Sequence, residues 1–387
     1  MKRSALRALA GGGLLSALLA AGLPGDDAGG RQPAAAGADW QWQLPPGVAP
    51  PPVPADNPMS RAKFELGRYL FYDKRLSGNG DISCASCHPQ ARAFSDGVAL
   101  SIGAEGERAL RNAQPLANAA WRRSYTWANY SLTTLERQMD GPLFRTDPVE
   151  MGINDGNLST VLARLAADPH YQREFARAFP GQPRPLTLEN IVKAIASFER
   201  GIVSFDSRYD RYRAGQTELS AAESRGLRLF RSEQGQCYRC HGSADFDDQM
   251  AGFSRDLPFH NIGLYNLDGK GGYPFPNRGA LELSGKAADM GRFRSPSLRN
   301  VALTAPYMHD GSVATLEDAV RIHAEHGRRG GKAGDGRLNP WKDAAIDRIR
   351  LNRREQADIV AFLKTLSDDK LIHNPRLADP FAAKHGK

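Results

Sequence analysis

The chain has 387 residues, 41% of them hydrophobic, enough for one large or two medium globular domains. Its net charge of +8 arises from 51 basic against 43 acidic residues, with the two signs interspersed. No long basic run is present, which argues against nucleic acid or an anionic membrane surface as partner and leaves at most an acidic protein.

Residues 1–24 begin with Lys2, Arg3 and Arg7 and run into an apolar stretch, Leu14 to Leu23, too short to span a bilayer comfortably. That pattern predicts a cleaved signal peptide, cut near Ala20–Ala21, and a periplasmic protein with no stable membrane span afterwards. No cysteine lies there to take a lipid anchor. Residues 25–57 are rich in Gly, Ala and Pro, as in Pro45-Pro46-Gly47-Val48-Ala49-Pro50-Pro51-Pro52, and predict an extended linker or a surface-hugging arm. Folded structure is expected from Pro58, with Ser60–Tyr72 bringing Phe64, Leu66, Leu70 and Phe71 into a short helix.

All four cysteines fall in two pentapeptides, Cys84-Ala-Ser-Cys87-His88 and Cys237-Tyr-Arg-Cys240-His241. Two thiols three residues apart reach the two vinyl groups of one porphyrin, and the adjacent histidine places a nitrogen on the iron. A redox Cys-x-x-Cys or half of a zinc site does not require that histidine. The residues therefore predict two covalently bound c-type haems, a cofactor attached outside the bacterial cytoplasm.

The motifs sit in an imperfect repeat. Gly67-Arg-Tyr-Leu-Phe precedes the first and Gly226-Leu-Arg-Leu-Phe the second. Each half closes in an apolar helix, Asn190-Ile-Val-Lys-Ala-Ile-Ala-Ser-Phe and Asp358-Ile-Val-Ala-Phe-Leu-Lys-Thr-Leu. Strand-like alternation is scarce, and Gly263 to Gly291 reads as a long loop. The expectation is a mostly α fold of two cytochrome c-like domains with long loops, 58–210 and 211–387. The boundary is placed between Ser207 and Gly215.

His88 and His241 fill one axial position on each iron. No histidine separates His88 from His170, and Met139 and Met151 are the only methionines in that interval. The first iron is thus expected to lack a strong sixth ligand and to stay open to water or peroxide, unlike the blocked iron of a pure electron carrier. For the second, Thr315–His326 predicts one helix with Thr315 as N-cap and Gly327 past its end. Leu316, Ala319, Val320 and His323 form its apolar stripe, so His323 is the leading ligand. His326, about 60° round the same helix, His309 and Met308 are the alternatives.

The chain resembles the bacterial di-haem cytochrome c peroxidases and MauG-like enzymes over residues 58–370. The resemblance rests on Leu76-Ser-Gly-Asn-Gly-Asp-Ile-Ser-Cys-Ala-Ser-Cys-His, on Asp147-Pro-Val-Glu-Met-Gly, and on Leu298-Arg-Asn-Val-Ala-Leu-Thr-Ala-Pro-Tyr-Met-His-Asp-Gly-Ser. The segment from Asp39-Trp-Gln-Trp-Gln-Leu-Pro-Pro-Gly to Asn57-Pro-Met-Ser is similar to the methanobactin-associated MbnH-type subgroup. The resemblance implies that Glu150 and Gln138 face bound peroxide, that Pro142 takes a further pocket position, and that Trp127 stands between the haems. A carboxylate there suits proton transfer to and from peroxide. It also implies one calcium ion, held by Asn112 (or Asn118) and the carbonyls of Thr304 and Pro306.

Departures from the family pattern refine the reading. The loop after the first motif, Pro89 to Gly106, has no histidine where better-known peroxidases place one, which implies an always-open first haem. His323 stands where those peroxidases have methionine and MauG tyrosine. Imidazole favours higher oxidation states than methionine does. Gly235 replaces a tryptophan that MauG uses to take electrons from its partner, with Tyr238 as one replacement. The implied function is a peroxide-dependent oxidase that forms a high-valent two-haem state and oxidises a side chain, tryptophan in the subgroup, of a periplasmic protein partner. The alternatives are a peroxidase fed by a small cytochrome or cupredoxin, and a pure di-haem electron carrier.

Overall fold

The two pre-motif glycines sit where two helices cross too closely for any side chain. A Cβ at Gly67 would lie 1.9 Å from the carbonyl oxygen of Ala194, and one at Gly226 would lie 1.9 Å from that of Asp358. Helix Arg61–Tyr72 thus packs on helix Leu188–Arg200, and helix Ala221–Phe230 packs in the same way on helix Arg353–Lys364. Local sequence starts each one. Ser60 and Thr187 accept from the third backbone N–H of their helices, and Ser220 with Glu223 and Asn352 with Glu355 form capping boxes.

The computed structural model describes residues 39–250 and 258–382. The expected signal peptide, and the arm up to residue 38, lie outside them. Among the described residues no helix is long and apolar enough to cross a membrane. Among the described residues, pairing between extended segments is confined to isolated bridges such as Tyr307 with Val313. The fold is mostly α, as expected.

Each half is built on a triangle of buried phenylalanines. Phe71, Phe94 and Phe198 meet with ring centroids 5.0–6.4 Å apart in the first, and Phe230, Phe246 and Phe362 meet at 5.3–6.0 Å in the second. Burying three such rings, with their edge-on geometry, is a large part of what holds each unit together.

Segments cross the 210/211 division in both directions. Helix Arg208–Arg213 spans it, and its Tyr209 packs in the second core. Leu371 and Leu377, near the C-terminal end, pack in the first, where the carbonyl of Leu377 accepts from the Tyr72 hydroxyl at 2.8 Å.

Candidate functional site

Cys84, Cys87 and His88 line one cavity, and Cys237, Cys240 and His241 line a second. The two histidines are held alike. His88 Nδ1 lies 2.8 Å from the carbonyl of Phe94, and His241 Nδ1 lies 2.9 Å from that of Phe246. Both phenylalanines take left-handed backbone, φ 62° and 56°, which costs on the order of 1–3 kcal/mol for a bulky residue. With Nδ1–H donated to a carbonyl, each imidazole keeps Nε2 as the nitrogen that can bind a metal. Burial depresses the basicity of both; His241, which also feels His323, is held down to about 4. Neutral imidazole is the form that binds metal.

His323 repeats this pattern. It lines the second cavity, its Nδ1 lies 2.8 Å from the Ala319 carbonyl, and burial lowers its pKa. The expected helix is shorter than the sequence suggested. It spans Leu316–Ala324, with Thr315 accepting from Asp318 N–H. His326 is therefore not on it. It sits at φ 66° with Nε2 lying 2.9 Å from the Ile349 carbonyl, so the helical-wheel comparison with His323 does not apply. His260 is engaged on both nitrogens by Asp248 and Asp343, at 2.6 and 2.9 Å. His309 lies stacked on Phe293 with ring centroids 3.7 Å apart. Met308 lines the same cavity.

The structure brings Gln138, Pro142 and Glu150 to the lining of the first cavity. Glu150 is raised above the usual carboxylate range by burial, opposed by Arg145, whose Nε lies 3.9 Å away. Met139 and Met151 also line this cavity, packed in the first core with Leu135, Leu143 and Ile153. Trp127 and Asn112 line both cavities, and the Trp127 indole N–H donates to the Asn112 carbonyl at 2.8 Å.

Asn112, Thr304 and Pro306 all line the second cavity. Asn112 spends its amide N–H groups on the carbonyls of Val98 and Ala99, at 2.9 and 3.2 Å, leaving Oδ1 for a hard cation. Asn118 is committed elsewhere. Its side chain donates to Ser204 O and Asp245 and accepts from Ser204 N–H, so it is not the alternative ligand.

Three further lining residues are buried and charged. Arg122 in the first cavity and Arg294 in the second are 5% and 1% exposed. Burial, with Arg122 nearby, pulls Arg294 down to about 9. Buried guanidiniums call for anions, and haem propionates are anions of the required kind. Glu199, pushed up to about 8 by burial, is the third. Single arginines and glutamates carry no periodic or motif signal. Phe94 and Phe246, six and five residues after their histidines, did offer one.

The Cys-Cys-His sets, the Nε2 atoms and the buried arginines fit two haems. The comparisons agree. A family model described as di-haem cytochrome c peroxidase matches residues 61–218. The chain is 33% identical over 318 residues to methylamine utilization protein MauG of Methylorubrum extorquens, covering 81% of each. It is 35% identical over 376 residues to cytochrome-c peroxidase IdrP1 of Denitromonas iodatirespirans, covering 89% of this chain and 93% of that protein. Among solved structures it is similar to a MauG-like protein associated with microbial copper homeostasis. The TM-score is 0.86 and the identity 54%, covering 88% of this chain and 99% of that one.

Proposed function

Because this chain belongs to the di-haem cytochrome c peroxidase and MauG family, we propose that it is an exported, periplasmic oxidase that uses hydrogen peroxide to oxidise a tryptophan side chain of a partner protein. The observation that carries this reading is His323, which lines the second cavity together with His241 and has its Nδ1 engaged by the Ala319 carbonyl, leaving Nε2 for a metal. A second imidazole stabilises oxidised iron over reduced iron. That opposes electron uptake from a high-potential cytochrome and favours sharing oxidising equivalents between the haems. The likeness to a MauG-like protein of copper homeostasis supports the same assignment.

The haems, when bound, supply the redox chemistry of peroxide cleavage. The chain's own residues prepare it. With a haem in the first cavity, Glu150 would be the carboxylate that accepts a proton from peroxide and returns it to the departing oxygen. Gln138 and Pro142, which line the same cavity, would add an amide and an apolar surface to the pocket. Trp127 fills the partition between the cavities. Asn112 Oδ1, with the carbonyls of Thr304 and Pro306, would hold a calcium ion beside the second cavity.

The second reading, peroxide removal with electrons from a small cytochrome or cupredoxin, is favoured by relatives named cytochrome c peroxidase. Adding one equivalent of peroxide to the diferric protein separates the two. The oxidase reading expects a long-lived change in near-infrared and Mössbauer spectra that involves both haems. Prompt return to the diferric spectrum, with fast steady turnover of reduced cytochrome c, would overturn it.

A further inference from the structure

Haem chemistry leaves the Asp39-Trp-Gln-Trp segment without a role. In the structure Trp40 and Trp42 meet at 5.5 Å between ring centroids and 80° between planes, and Trp42 meets Trp121 at 6.2 Å and 62°. Three of the chain's five tryptophans thus form one column. Its inner end, Trp121, is 4% exposed and sits in the chain two residues after Ala119 and one before Arg122, which both line the first cavity. Trp42 is half-buried, flanked by exposed Gln41 and Gln43.

Resting on the oxidase reading above, we propose that Trp121 and Trp42 form an electron-transfer path from the wall of the first haem cavity to the surface. Trp42 is its outer terminus, where the partner's side chain gives up its electrons.

Indole is among the most easily oxidised side chains, and edge-to-face rings at these separations touch. The N–H environments set the direction. Trp121 Nε1 donates to the Ala49 carbonyl at 2.8 Å. A carbonyl cannot keep the proton, so an oxidised Trp121 remains a buried cation, which is unfavourable, and draws an electron from Trp42. Trp42 is half-buried between exposed Gln41 and Gln43, so solvent is at hand to take its proton. Trp40 is a side branch. It packs on Phe64 at 5.1 Å, and its Nε1 is buried with no acceptor to receive a proton.

The electrons balance. One hydrogen peroxide takes up two electrons and two protons and leaves as two waters. With no partner present, Trp42 supplies both electrons: it gains the oxygen of one water, loses two protons and becomes hydroxytryptophan. The net change converts one peroxide to one water and one indole C–H to C–OH.

The test treats the diferric holoprotein with one equivalent of peroxide and no partner, records the haem spectrum, and maps added oxygen by peptide mass spectrometry. Trp42 is expected to carry the added oxygen. Trp121→Phe, which keeps a ring in the column, is expected to lose that mark and lengthen the life of the oxidised state. Trp40→Phe is expected to retain the mark. Equal marking of Trp42 in Trp121→Phe, or equal loss in Trp40→Phe, would overturn the path while leaving the oxidase reading intact. A haem spectrum indifferent to peroxide would overturn both.

Discussion

The indole N–H of Trp127 donates to the backbone carbonyl of Asn112 at 2.8 Å, and these two residues form walls of both haem cavities. The ring is 8% exposed and held at the partition by that bond and by packing against Leu264 and Phe293. Trp127→Phe is expected to let peroxide react yet slow the spread of oxidation to the second haem, read by stopped-flow near-infrared spectra. It also leaves a buried carbonyl without its donor, at about 1–3 kcal/mol, so thermal stability is measured alongside. A wild-type rate of spreading would reduce Trp127 to a packing residue.

Glu150→Gln removes the proton carrier and keeps the shape. The rate of the peroxide-induced spectral change is expected to fall by about 10²–10⁴-fold, with two haems still attached. An unchanged rate would remove Glu150 from the proton path.

The same carboxyl sets a pH dependence. Burial raises its pKa above the usual 4.5, so the protonated, inactive form persists to higher pH than for an exposed glutamate. The rate with peroxide is expected to climb with pH through a midpoint above that value. In Glu150→Gln this acid limb should disappear; its persistence would assign the limb to another group.

At the helix crossings, Gly226→Ala drives a methyl into the Asp358 carbonyl and the Phe362 side chain. Forced separation of packed helices typically costs about 1–3 kcal/mol, which a lowered Tm reports. Gly67→Ala, against Ala194 and Phe198, should do the same. An unshifted Tm in both would mean that the crossings are not tightly packed.

These glycines show what was legible in the sequence. The Gly-x-x-x-Phe repeat recurs at the same place in both halves because each helix crossing needs a residue without a side chain, followed one turn later by a core ring. The haem motifs were legible because thioether and axial chemistry fix their spacing. The end of the His323 helix was not. A helix pattern continues on paper through Glu325 and His326, but His326 takes left-handed backbone and gives its Nε2 to the Ile349 carbonyl, a contact set by a loop 23 residues away. The buried Arg122 and Arg294 were equally silent, since their meaning comes from the cavities they line rather than from their neighbours in sequence.

Electron paramagnetic resonance of the diferric protein, its His323→Ala variant and its His326→Ala variant tests the axial assignment on which the functional reading depends. The wild type should show one high-spin haem and one low-spin haem with two imidazole ligands. His323→Ala should turn the low-spin haem high-spin or water-ligated, and His326→Ala should leave both signals unchanged. Two low-spin signals in the wild type, or a bis-imidazole signal that survives in His323→Ala, would contradict the account.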